Sequence, residues 1–131
     1  MRLQWILVTA AAFATIAAAH HSFTMFDNTK SVTITGTIKD FQWTNPHTFT
    51  WIEVPNDHGG TDTWAIEGMS PNYLGRRGWT KHTLKPGDKV SIVIFPLKSG
   101  EKGGTFLRCT LPDGKEMVMF NIQPGQALPQ P

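Results

Sequence analysis

Cysteine is almost missing from this chain: Cys109 is the only one in 131 residues. No intramolecular disulfide is therefore possible, and the fold must be held by its core. Cys109 lies in the alternating stretch "FLRCTL", which predicts a buried, inert thiol. Charge of one sign is also scarce. The 12 basic and 10 acidic residues nearly cancel, which argues against a nucleic-acid partner, because phosphate-backbone binding needs many unopposed Lys and Arg contacts. There is no internal repeat. No serine or cysteine sits in a nucleophile motif, and only Glu53 and Glu67, on neighbouring predicted strands, offer carboxylates near His47. The chain therefore reads as a binding protein, and no catalytic residue is assigned.

The one long apolar stretch is N-terminal. "MRLQWILVTAAAFATIAAA" has a basic residue, an apolar run from Trp5 to Ile16, and alanines at 17 and 19. That is the layout of a cleaved secretory leader, and the run is shorter than the ~20 residues needed to span a bilayer. Residues 1–19 are read as the signal peptide, with the cut between Ala19 and His20. The product is expected in the periplasm or outside the cell, with no membrane span after cleavage. It would keep 112 residues with 11 bases and 10 acids, enough for a modest core and a monomeric domain over 20–122. The tail "QPGQALPQP", residues 123–131, reads as extended by its prolines and glycine.

Between these ends, two-residue alternation dominates and predicts strands. "VTITGTIKDFQW" puts Val32, Ile34 and Ile38 on one face, and Gly36 interrupts it, predicting a bulge or sharp bend. "HTFTWIEV" and "TWAIEGM" flank the hairpin loop "NDHGGTD". "SPNYLGRRGW" then offers Ser70 as N-cap, Pro71 at the first helical position and Gly78 as terminator, predicting a short helix over 71–77. "KVSIVIFPL" is the most apolar strand. "TFLRCTLPDGKEMVMF" supplies a strand, a turn at Asp113 and Gly114, and a second short strand. Three strands, one helix, then further strands predict a mainly β, OB-fold-like five-stranded Greek-key barrel with one short helix between strands 3 and 4.

The blocks "HHSF", "FQWTNPH", "EGMSPNYLGRRGW", "LKPGDKV" and "PLKSGEKGG" together resemble DUF6152, a family of small exported bacterial proteins of unknown function. The likeness runs from His20 to about Pro112. It implies family features at His20, His21, Trp43, Asn45, Pro46, His47, Glu67, Ser70, Pro71, Asn72, Gly78, Trp79, Gly87 and Asp88, and it implies no activity. A ligand role is not carried to Phe95, where other members are pictured with a polar residue or histidine.

Folding explains the cap, the helix start and the turns, but not His20, His21 and His47. A new terminus at His20 would present an amine and an imidazole to one ion, and His47 would add a third nitrogen, a donor set suited to copper(II). Cleavage one residue earlier would place His21 third, in a square-planar chelate that uses backbone nitrogens. Asn45 and Glu67 could orient a ligating histidine. Met25, Met117 and Met119 could serve copper(I), but core or edge packing explains the set better. The other reading is an interaction module that binds a small molecule or a periplasmic protein through Trp43, Tyr73 and Trp79, with the histidines incidental.

Overall fold

The computed structural model describes residues 23–129. The leader, His20 and His21 lie outside the described residues. A short 3-10 turn, Phe23–Met25, precedes strands β1 (Val32–Gln42), β2 (Phe49–Pro55) and β3 (Thr61–Glu67). Helix α1 (Pro71–Gly75) comes next, followed by β4 (Lys89–Pro96), β5 (Gly103–Thr110) and β6 (Glu116–Val118). The sheet order is β3-β2-β1-β4-β5-β6, and a parallel pairing of β3 with β5 closes the first five strands into a barrel. This is the barrel, with its single helix between strands 3 and 4, that the element order predicted.

Closure depends on β1 serving two partners. Its first half, Val32 to Thr37, pairs with β4, and its second half, Thr37 to Gln42, pairs with β2. Gly36 lies in the half that pairs with β4, where a Cβ would strike the Glu53 carbonyl, so glycine is needed there. The bulge is not at Gly36. It falls between Ile38 and Asp40 in the β1–β2 register. Because one extra residue reverses the alternation, Asp40 turns outward and Phe41 enters the core.

Ile34, Ile38, Ile52, Ile66, Ile92, Ile94 and Phe106 fill the barrel. Cys109 is buried there, as predicted, and burial pushes its thiol pKa up to about 12. Met117 and Met119 are also buried, which matches their reading as packing residues.

The helix joins the core through one side chain. Ser70 Oγ accepts from Tyr73 N, Pro71 opens the first turn, and Leu74 is fully buried. α1 is two residues shorter than predicted, but Gly78 does take the left-handed conformation, φ +83°, and Trp79 N returns to the Leu74 carbonyl at 3.1 Å. The described part of the tail, residues 123–129, forms no helix or strand and is tied to the domain: Leu128 is buried, Gly125 N donates to Asn28 O at 2.7 Å, and Asn28 Nδ2 donates to Gln126 O at 3.1 Å.

Candidate functional site

His47 is reached through "TNPH", the turn between β1 and β2, in which the Asn45–Pro46 peptide is cis. Thr44 Oγ1 donates to the His47 carbonyl at 3.2 Å. One residue on, Thr48 is buried and locks β2 to the end of β3. Its N–H and hydroxyl both donate to Met69 O, at 3.0 and 2.8 Å, and its carbonyl accepts from Gly68 N at 2.8 Å. So close an approach requires glycine at 68, because a Cβ there would overlap Thr48 Oγ1 and the Met119 sulfur.

This approach sets the imidazole. His47 Nδ1 lies 3.1 Å from the Gly68 carbonyl. A carbonyl only accepts, so Nδ1 carries the hydrogen, and in the neutral ring Nε2 keeps the lone pair. Among the described residues Nε2 has no hydrogen-bond partner. Glu67 Oε1 is 3.8 Å from Nδ1, too far for a hydrogen bond but close enough for attraction. Both side chains are mostly shielded, at 18% and 15% exposure. Burial raises the Glu67 carboxyl pKa above the ordinary range, and the nearby imidazole partly opposes this. A histidine whose Nδ1–H is held by a backbone carbonyl, with a carboxylate beside it, has the support that metal-ligating histidines have.

Phe23, the first described residue, meets His47 edge-on, with ring centroids 6.4 Å apart and planes at 89°. The described chain therefore begins with a side chain in contact with His47. Among the described residues no group of three metal-ligating side chains comes together; the other two predicted ligands are outside that range.

Of the remaining predicted residues, Trp79 does not reach the surface. Trp79 is 2% exposed, packs at 5.6 Å against Phe106, and donates Nε1–H to Val118 O at 3.1 Å; it is a core residue. Tyr73 has the Arg77 guanidinium 3.5 Å over its ring and Phe120 beside it. Trp43 packs edge-on against Phe41 at 5.8 Å, and Asn45 is exposed in the turn.

A different aromatic pair lies outside the barrel. Phe49 and Trp51 share the outer face of β2 and stack at 6.4 Å. Trp51 Nε1 is shielded from solvent and, among the described residues, has no hydrogen-bond partner. The pair was legible as one strand face; its neighbours depend on the bulge, which only pairing reveals.

No curated protein and no solved structure is significantly similar to the chain. Residues 8–108 match the model of the family of unknown function DUF6152, and the chain belongs to that family.

Proposed function

We propose that this is an exported, monomeric, small metal-binding protein, that copper is its preferred ion, and that His20, His21 and His47 hold it. The observation that carries the reading is the edge-on contact of Phe23 with the His47 ring. Chain reach supports it: n residues span at most ~3.3 to 3.6 Å each, so His21 and His20, two and three residues before Phe23, are near enough in sequence to be able to reach that ring. In this reading His20 contributes its terminal amine and imidazole, His47 contributes Nε2, and His21 is a further ligand or supports one. Gly68 O fixes the tautomer of His47, and Glu67 adds negative charge beside a bound cation. Asn45 lies in the turn that carries His47.

The test begins with protein exported through its own leader, its N-terminus read by mass spectrometry. Copper(II) is then titrated into wild type, His20→Ala and His47→Ala, with electron paramagnetic resonance counting coupled nitrogens. The expected result is a chain that starts at His20 and binds one copper through three or more nitrogens, with at least one nitrogen lost in each variant. Equal affinity and identical spectra in all three proteins would sink the proposal.

A further inference from the structure

The bulge in β1 builds a second site on the outer sheet, separate from the histidines. With the extra residue at Lys39, Asp40 is paired directly with Trp51 of β2, and Trp51 with Ala65 of β3. Lys39, Asp40, Trp51 and Thr63 line a groove of about 390 Å³, at the small end of ligand sites. Phe49 stacks beside Trp51, with the ring planes at 25°.

The neighbours of the groove are largely engaged, and Asp40 is not. Lys39 Nζ is 3.2 Å from Glu53 Oε1. Thr63 donates to the same carboxylate oxygen at 2.7 Å, and Thr61 to the other at 3.0 Å. Asp40 is exposed and, among the described residues, its side chain makes neither a hydrogen bond nor an ion pair. The groove therefore offers one flat apolar ring, a free carboxylate acceptor and an ammonium donor.

Ligand classes can be sorted by what they would leave unpaired. An apolar ligand would strip water from Lys39 and Asp40 with no replacement. An anion would face Asp40 and Glu53, with Lys39 already paired to the latter. A cation would be drawn to Asp40 but offers no acceptor to the Lys39 ammonium, which has donors beyond its Glu53 pair. A neutral pyranose ring has C–H groups on one face and hydroxyls that both donate and accept around its edge, so it matches the whole set.

We propose that this groove is a saccharide subsite in which Trp51 carries the apolar face of a neutral pyranose ring and Asp40 accepts hydrogen bonds from its hydroxyls. The site is independent of the metal reading.

Cellotetraose, maltotetraose and tetraacetyl chitotetraose are titrated separately into 15N-labelled protein, with choline as a cationic comparison. At least one oligosaccharide should shift the Trp51 indole N–H and the Lys39, Asp40 and Thr63 amides saturably at millimolar concentration. Asp40→Asn, at an exposed position, should weaken that binding about tenfold, the size expected for a hydrogen bond to a charged group. Trp51→Ala should abolish it while the rest of the spectrum stays folded. Should Trp51→Ala unfold, Asp40→Asn alone decides. Silence from all three oligosaccharides, shifts by choline alone, or unchanged affinity in Asp40→Asn would each overturn the proposal.

Discussion

His47 and Gly68 are 21 residues apart in sequence and joined by one hydrogen bond: Nδ1–H of the imidazole to the backbone carbonyl, at 3.1 Å. The bond exists because β2 begins against the end of β3, Thr48 bridging to Met69. It links the stability of that corner to the chemistry available at Nε2.

Gly68→Ala should disturb both. The added methyl meets Thr48 Oγ1 and Met119 Sδ inside contact distance, and overpacking of this kind costs about 1 to 3 kcal/mol. Urea unfolding should show that loss, and copper binding, if His47 is a ligand, should weaken with it.

Glu67 gives a pH test on metal-free protein. Its folded-state pKa is raised, chiefly by burial, so the fold disfavours the carboxylate relative to the unfolded chain. The sign follows from linkage: its favourable contribution is fully present below the unfolded pKa, near 4.5, and is lost as pH rises through the raised folded value. Glu67→Gln, which does not titrate, should therefore gain stability relative to wild type across that rise. Denaturant midpoints measured from pH 4 upward check this; a difference that is flat with pH would contradict it.

The thiol of Cys109 should be inert while the protein is folded. Only 1% of the residue is exposed and its pKa is pushed up to about 12, against ~8.5 for a free thiol. A thiol-reactive dye at pH 8 should label native protein only as fast as it unfolds, and label it at once in guanidinium chloride.

Trp79 should be a stability residue. Trp79→Ala empties the space its ring fills against Phe41 and Phe106, and large aromatic truncations in cores cost about 3 to 5 kcal/mol. Trp79→Phe should cost less, leaving the Val118 carbonyl without its 3.1 Å donor.

Truncation after Ile122 should also destabilise the domain. It exposes the pocket of Leu128, which is 7% exposed, and burying a leucine is worth about 1.5 to 3 kcal/mol. It also removes two hydrogen bonds between the tail and Asn28. A thermal melt of the shortened chain is sufficient to measure it.

Much of the fold was written in local sequence, because alternation, caps and turns act over a few residues. Strand order follows from Val32–Ile38, "HTFTWIEV" and "KVSIVIFPL" with the helix signal placed between them, and Ser70, Pro71 and Gly78 act as their types require. Tertiary pairing decided the rest. A bulge at Lys39 is visible only against the register of β2, and it alone exchanges Asp40 for Phe41 at the core boundary. The fate of the aromatics follows from the barrel's closure, which buries Trp79 and leaves Phe49 and Trp51 outside. His47 was evident from its residue type, but which of its nitrogens is free was not, because that depends on a carbonyl 21 residues away that only the folded chain brings to it.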